Sequence, residues 1–136
     1  MDSREINALS PLALAYLGDS VYETAVRKYL LSTGDKSSKE YNKAAVKLVC
    51  AVSQSEGAHF IEPMLSEEEA DVMRRGRNTH AAVPKSATVS QYRAATGLEA
   101  LMGKLYLEGK YDRITELCGI IINSILKENK ANDIDL

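Results

Sequence analysis

Two acidic residues, Asp19 and Glu99, stand in segments that are otherwise mostly apolar. Asp19 lies within residues 17–21 and Glu99 lies within residues 97–103. A carboxylate that is buried without a partner is energetically costly, so each of these residues needs a cation or a hydrogen-bond donor. No Lys or Arg stands within one helical turn of either acid, on the side where an intrahelical ion pair would form.

A divalent metal ion would satisfy both acids at once. Magnesium prefers a small number of hard oxygen ligands, with water completing its shell. The alternative is that each acid caps a neighbouring helix or pairs with an arginine of another helix, and for an arbitrary helical protein this alternative is favoured. Glu23 follows Asp19 by one turn and is a further candidate, but it precedes Arg27 by four residues, which favours a surface ion pair.

The elements that would position these acids are predicted to be helices throughout. Apolar residues recur at three- and four-residue steps, and strand-like alternation between turns is absent. The length of 136 residues fits one domain. We therefore predict a single all-α domain over residues 1–136, with a polar tail from about residue 129.

The sequence indicates where the first long helix begins and ends. Ser10 is a good N-cap, Pro11 suits the first helical position, and Gly34 can end the helix. The spacing predicts that one apolar stripe of this helix faces the core. The stripe consists of Leu14, Leu17, Val21, Ala25 and Tyr29.

Capping residues and apolar spacing predict four further helical segments. They run from Ser37 or Ser38 to about Ile61, from Ser66 to Arg75 or Arg77, from Ser86 or Thr88 to about Glu108, and from about Tyr111 to Glu128. The first of them carries Val46, Val49 and Cys50 on its apolar face, and a break near residues 53–55 is the alternative to one continuous helix. Gly97 and Gly103 would each cost about 1 kcal/mol inside a helix unless close packing requires them. They predict a tight helix–helix approach around Glu99.

The composition excludes several classes of protein. The formal net charge of −2 argues weakly against a nucleic-acid binder, although the basic residues cluster locally. Cys50 and Cys118 show no metal-ligand spacing, so we expect two reduced, buried thiols, as is usual in the cytosol. We expect neither a signal peptide nor a membrane span, because the sequence has no basic segment before an apolar run and no apolar stretch of about 20 residues.

Two motifs resemble the signatures of a known family. Residues 14–23, Leu-Ala-Tyr-Leu-Gly-Asp-Ser-Val-Tyr-Glu, resemble the signature helix of the ribonuclease III family. Residues 99–103, Glu-Ala-Leu-Met-Gly, resemble its second signature. Together with Arg-Arg-Gly-Arg-Asn at 74–78 and Gln-Tyr-Arg at 91–93, the set is similar to the short form of that family, which lacks a separate double-stranded RNA-binding domain.

This resemblance implies an all-α ribonuclease III-type endonuclease domain that cuts double-stranded RNA as a cytoplasmic homodimer. It implies that Asp19 and Glu99 are the catalytic residues and the ligands of Mg²⁺, with Mn²⁺ as an alternative ion. The implied substrate is the 23S ribosomal RNA precursor. Larger family members carry further acids where this chain has Leu12, Ala15 and Thr96, so Thr96 is, like Glu23, a candidate for an accessory role only.

Double-stranded RNA hides its base edges, so proteins recognise its shape, phosphates and 2′-hydroxyl groups. A basic group that runs from a helix end into a loop suits this task, although a solvated helix end is the alternative for each single residue. The group consists of Arg74, Arg75, Arg77, Asn78, His80 and Lys85. Cutting both strands requires two symmetric centres, and Tyr16 and Tyr22 of the signature helix are candidates for the dimer interface or for core packing.

Two other functions compete with the nuclease. The first is a non-catalytic RNA-binding or ribosome-associated module on the same fold, which would keep the basic group without a working metal site. The second is a helical protein-interaction domain with no RNA role, supported by the net charge of −2 and the acidic residues near the C-terminus. The presence of both Asp19 and Glu99 favours the enzyme.

Overall fold

A computed structural model describes residues 1–79 and 88–134, with side chains as far as Glu128. These ranges contain only helices and their connections, which confirms the all-α fold class. The helices are α1 (Ser3–Ala8), α2 (Pro11–Ser32), α3 (Ser38–Val49), α4 (Ala51–Ile61), a short 3₁₀ helix (Glu62–Met64), α5 (Glu67–Arg77), α6 (Val89–Leu107) and α7 (Tyr111–Ile134). Among the residues described, no helix is long and apolar enough to cross a bilayer.

Helix α2 begins where its cap predicts, but its buried face differs from the predicted stripe. The Oγ atom of Ser10 accepts a hydrogen bond from the backbone of Ala13 at 3.1 Å. The residues that the core covers are Leu14, Ala15, Gly18, Tyr22, Val26 and Leu30, whereas Leu17, Val21, Ala25 and Tyr29 are only half-buried. The predicted stripe was right for Leu14, and Val21, Ala25 and Tyr29 pack at the edge of the core. The most buried face lies beside this stripe, because the closest contact of α2 is made by the glycine.

Tyr22 belongs to the core, not to a surface. Its side chain is 0% exposed, and its hydroxyl donates to the carbonyl of Leu48 at 3.2 Å. Tyr16, by contrast, is 86% exposed. Of the two tyrosines considered for an interface, only Tyr16 is accessible in the monomer.

The chain breaks between α3 and α4 at Cys50, three residues before the alternative break that the sequence suggested. Cys50 is extended and exposed, and Val46 is 63% exposed, so the predicted apolar face of this segment was wrong for these two residues. Val49, its third member, packs against the core as predicted. Leu48 is buried there as well. The break is possible because Ser53 and Gln54, in the first turn of α4, donate hydrogen bonds to the last carbonyls of α3.

The caps of α5 and α6 act as predicted. Ser66 and Glu69 form a reciprocal capping box at the start of α5, and Thr88 forms one with Gln91 at the start of α6. Helix α7 continues to Ile134, beyond the predicted end at Glu128, so the backbone of the predicted tail is helical that far. Helix α1 was not predicted, although Asp2 and Glu5 form a capping box at its start.

Helix α6 lies at the centre of the fold. Nine of its ten residues from 94 to 103 are buried, and it packs mainly against α2, α5 and α4. Helix α7 closes the main core with Leu117 and Ile121, both fully buried. Cys118 is also buried, as predicted, whereas the prediction that Cys50 is buried was wrong; both cysteines are free.

Arg113 fastens α7 to the beginning of α5. Its Nε and Nη2 atoms donate to the two carboxylate oxygens of Glu69, each at 2.9 Å, and Nη2 also donates to the carbonyl of Met64 at 2.9 Å. These hydrogen bonds lower the pKa of Glu69. Because Glu69 also caps α5, one arginine connects three segments of the chain.

Candidate active site

The backbones of α2 and α6 touch at glycines. A β-carbon on Gly18 would lie 1.6 Å from the carbonyl oxygen of Glu99, and one on Gly103 would lie 2.0 Å from the carbonyl oxygen of Leu14. Any larger residue at either position would push the helices apart. The close helix approach that the sequence predicted around Glu99 is therefore confirmed, and glycines of both helices make it.

This contact places Asp19 beside Glu99. The two carboxyl groups lie within hydrogen-bonding reach of one another, with Asp19 exposed and Glu99 half-buried. Burial raises the pKa of Glu99 from 4.5 to about 8, with further increases from the hydrogen bond to Asp19 and from its charge, while Gln54 has the opposite effect. Two carboxylates this close repel one another, so the site favours a bound proton or a bound cation.

No basic side chain among the described residues neutralises this pair. Lys104 pairs with Glu68 at 2.9 Å. Glu23 pairs with Arg27 at 2.9 Å, which confirms the predicted surface ion pair. In the described ranges no group of three or more acidic, histidine or cysteine residues is placed to hold one metal ion, so the pair stands without a third carboxylate.

Thr96 gains no support as an accessory ligand. Its side chain is buried, and its hydroxyl donates to the carbonyl of Tyr92 at 3.0 Å. This is an ordinary use of a threonine inside a helix. The acidic pair therefore consists of Asp19 and Glu99, which are the two residues that the sequence singled out.

The chemistry of the acidic pair fits a divalent ion. Asp19 and Glu99 offer hard carboxylate oxygens, and the exposed side of Asp19 leaves room for water in the shell. A cation would offset the burial and the charge of Asp19, both of which raise the pKa of Glu99. The donor set is small, as is usual for magnesium, which keeps several of its waters.

The basic group lies at the end of α5. Arg74, Arg75 and Asn78 are exposed, and Arg77 is half-buried. Arg74 forms an ion pair with Asp71. His80 and Lys85, which the sequence also assigned to this group, lie outside the described residues.

A second glycine contact fixes the end of α5 on α6. A β-carbon on Gly76 would lie 2.8 Å from the Cα atom of Gly97, and one on Gly97 would lie 2.5 Å from the carbonyl oxygen of Met73. Ala100 is fully buried where α2, α5 and α6 meet. The helix that ends in the basic group is thus held against the same part of α6 as the acidic pair.

Two features of the structure were not predicted. Gln54 of α4 is buried, and its side chain lowers the pKa of Glu99, which burial and Asp19 raise. No pattern in the sequence pointed to it, because a glutamine near a helix start is ordinary. Lys39, Lys43 and Lys47 are exposed along α3, and their four-residue spacing was a visible signal of a basic stripe.

Comparison with known proteins agrees with this fold and site. The model of the ribonuclease III domain matches residues 12–110. A Mini-ribonuclease 3 of Symbiobacterium thermophilum is 47% identical over 111 residues, which are 80% of this chain and 85% of that protein. A Mini-ribonuclease 3 of Enterococcus faecalis is 38% identical over 130 residues, covering 93% of this chain and 98% of that protein.

A solved structure has the same fold. The crystal structure of a protein from Fusobacterium nucleatum superimposes with a TM-score of 0.80 at 36% identity, covering 88% of this chain and 97% of that one. The chain belongs to the ribonuclease III family, whose members are endoribonucleases of double-stranded RNA. It is similar over most of its length to the Mini-ribonuclease 3 proteins, so the resemblance drawn from its two motifs is confirmed.

Proposed function

We propose that this endoribonuclease hydrolyses one phosphodiester bond in each strand of duplex RNA, with Asp19 and Glu99 as the catalytic residues that hold Mg²⁺. Mn²⁺ can take the place of Mg²⁺, and the products carry 5′-phosphate and 3′-hydroxyl ends. One observation supports this most directly. Two carboxyl groups from distant parts of the chain meet within hydrogen-bonding reach, and no described basic side chain neutralises them.

The role of the chain is to hold Asp19 and Glu99 at fixed positions relative to one another. When bound, the ion lowers the pKa of a coordinated water and neutralises charge on the phosphate in the transition state. The glycine contact between α2 and α6 fixes the distance between the backbones of Asp19 and Glu99. The half-buried position of Glu99 strengthens its attraction to a cation, because charges interact more strongly away from water.

The basic group at the end of α5 would bind the phosphates of the duplex. Arg75 is exposed, and no described acidic side chain forms an ion pair with it. Arg77 and Asn78 continue the basic surface from the helix end toward the segment that holds His80 and Lys85. Phosphate contacts of this kind position a protein on RNA without reading its sequence.

We infer a homodimer because one centre cuts one strand and a two-fold axis supplies the second centre. Leu12 and Tyr16 of α2 stand four residues apart and are 42% and 86% exposed. Apolar side chains of this size on the surface of a helix are typical of an interface. Light scattering should give twice the mass of the chain, and Tyr16→Glu should lower it to that of the monomer. A monomeric wild-type protein would contradict this.

The substrate we propose is the 23S ribosomal RNA precursor, in the cytoplasm of a bacterial cell, and it follows from the family resemblance alone. Sequencing of 23S RNA ends in cells that lack the gene would test it. Complementation with the wild type should restore mature ends and Asp19→Asn should not. Normal ends without the gene would exclude this substrate.

The central experiment compares cleavage of a long RNA duplex with and without Mg²⁺. The wild type should shorten the duplex only in the presence of the ion, and Asp19→Asn should bind the duplex without shortening it. Metal-independent cleavage would overturn the mechanism. Binding without any cleavage would favour the rival function of a non-catalytic RNA-binding module.

A further inference from the structure

A groove runs between α3 and α7, and α2 forms its floor together with the inner side of α3. Its volume is about 440 Å³. Helix α3 packs against α2 and α4, whereas it barely touches the described part of α7. The side chains that the structure describes therefore leave this groove open to solvent.

The floor of the groove is apolar. It is formed by side chains that belong to the main core or pack against it, namely Tyr29, Leu30, Ala44, Leu48 and Leu126. Tyr29, Ala44 and Leu126 are only half-buried, so part of each still faces water. Concave apolar surface of this kind is stabilised when a partner covers it.

The rim of the groove is basic. Lys36, Lys43 and Lys47 line it and are exposed. The Nζ atom of Lys36 donates to the Oγ1 atom of Thr33, which also lines the groove, at 3.1 Å. Among the residues whose side chains are described, no carboxylate forms an ion pair with Lys43 or Lys47. Glu40 also lines the groove, so the three lysines leave the rim with an excess of positive charge.

The shape of the groove fits a helix. The residues that α3 contributes to it follow at three- and four-residue steps, which places them on one face, from Glu40 to Leu48. This face is about 12 Å long at 1.5 Å per residue, or about two turns of a helix laid beside it. A helix with one apolar face covers such a floor, whereas the phosphates of duplex RNA would leave it uncovered.

We propose that this groove docks an acidic amphipathic helix of a partner protein, whose apolar face covers the floor and whose carboxylates pair with Lys36, Lys43 and Lys47. The groove is separate from the acidic pair, because Tyr29 follows Asp19 by ten residues of α2, which is about 15 Å along the helix. A docked partner would attach the nuclease to another protein and leave Asp19 and Glu99 open to RNA.

The first test uses a fluorescent synthetic peptide with leucines on one helical face and glutamates on the other. Fluorescence polarisation should show saturable binding to the wild type, which weakens as salt is added. A peptide of the same composition in scrambled order, and one with lysine in place of glutamate, should not bind. Equal binding of the scrambled peptide, or no binding of the acidic helix, would overturn the proposal.

The second test reverses two charges of the rim. Lys43→Glu combined with Lys47→Glu should weaken binding of the acidic helix at least about 10-fold. The matched control combines Lys28→Glu with Lys39→Glu, two exposed residues that do not line the groove, and should keep the affinity within about threefold, because distant charges are screened. Both double variants should cleave duplex RNA equally well. Equal affinity of the two variants for the peptide would contradict docking in the groove.

The third test changes the floor. Ala44→Gln should weaken binding at low and high salt alike, because it places an amide against the apolar face of the peptide. Circular dichroism shows whether the variant is folded. If a folded Ala44→Gln protein binds the peptide as the wild type does, the lysines act without the groove and the proposal fails.

Other occupants of the groove give different results, and each would overturn the proposal. Displacement of the peptide by duplex RNA, with a loss of RNA affinity in the rim variant alone, would assign the groove to RNA. A lower mass of the rim variant than of its control in sedimentation would assign the groove to a second copy of the chain. Displacement by a peptide of residues 129–136 at lower concentration than by the unlabelled acidic helix would assign it to the chain's own acidic segment.

Discussion

Gly18 lies so close to Glu99 that a β-carbon on the glycine would stand 1.6 Å from the glutamate's carbonyl oxygen. Asp19 follows this glycine directly, so the same contact that joins the two helices also brings the two acids together. The separation of the carboxylates is therefore set by the backbones.

Replacing Gly18 tests this relationship. Gly18→Ala should lower the free energy of unfolding by about 3 kcal/mol, because the helices must separate to admit a methyl group. The matched control is Gly119→Ala in α7, where a β-carbon would meet nothing within 4 Å. It should stabilise the protein by about 1 kcal/mol, since alanine favours a helix. Urea unfolding measures both, and an unchanged stability of Gly18→Ala would contradict the close approach of the helices.

Removing one charge of the pair should remove catalysis. Asp19→Asn and Glu99→Gln should each lower kcat on the order of 10³-fold, which corresponds to about 4 kcal/mol of transition-state stabilisation. Binding of duplex RNA should change little in either variant. Single-turnover cleavage and a binding assay in the same buffer distinguish the two effects, and a fully active Asp19→Asn enzyme would contradict the assignment.

The pKa of Glu99 predicts how stability depends on pH in metal-free protein. Its carboxyl group titrates at about 8 when folded, against an ordinary value of 4.5. The unfolded chain therefore releases this proton first as pH rises, and the contribution of Glu99 to stability is lost between about 4.5 and 8. Unfolding in the presence of a chelator should show this decrease.

The control for this pH profile is Glu99→Gln, which carries no titrating group at that position. Its stability should fall less over the same range than that of the wild type. Mg²⁺ should restore stability to the wild type mainly at the upper end of the range, where the proton is released more easily in exchange for the ion. Identical profiles for the wild type and Glu99→Gln would exclude a raised pKa.

The basic group at the end of α5 predicts the salt dependence of RNA binding. Replacing Arg74, Arg75 and Arg77 together with glutamine should lower the slope of log affinity against log salt by about one unit for each phosphate that the protein no longer neutralises. The matched control removes three charges from α3, by replacing Lys39, Lys43 and Lys47 with glutamine. An equal change of slope in both variants would show that net charge, and not position, controls binding.

The acidic pair was predictable from the sequence, but its surroundings were not. Glu99 could be identified because a carboxylate in an apolar helix without an intrahelical partner is costly, and the flanking glycines indicated a close contact. The same argument singled out Asp19, but Asp19 is exposed, so the expectation that it is buried was wrong. Gln54 was not predicted because its effect on the pKa of Glu99 depends on packing between α4 and α6, and a single sequence contains no signal of that packing. The caps at Ser10, Ser66 and Thr88 placed helix starts well because capping is local.

Predictions that depended on burial were less successful. The predicted stripe through Leu17 and Val21 lies beside the most buried face of α2, because Gly18, which has no side chain to bury, determines which side faces α6. The break at Cys50 was missed because side chains of the following helix satisfy the carbonyls that it frees. Both errors arise from contacts between segments, which local patterns do not contain.

The ion pair between Arg113 and Glu69 bears on how far this enzyme can be shortened before it loses stability. The family match ends at residue 110, yet the arginine that secures the start of α5, together with the buried Leu117 and Ile121, comes after it. A protein shortened to the matched region would keep every proposed catalytic group but would lack the arginine that holds the start of α5. The C-terminal helix therefore belongs to the folding unit, and a shortened nuclease would need a substitute for it.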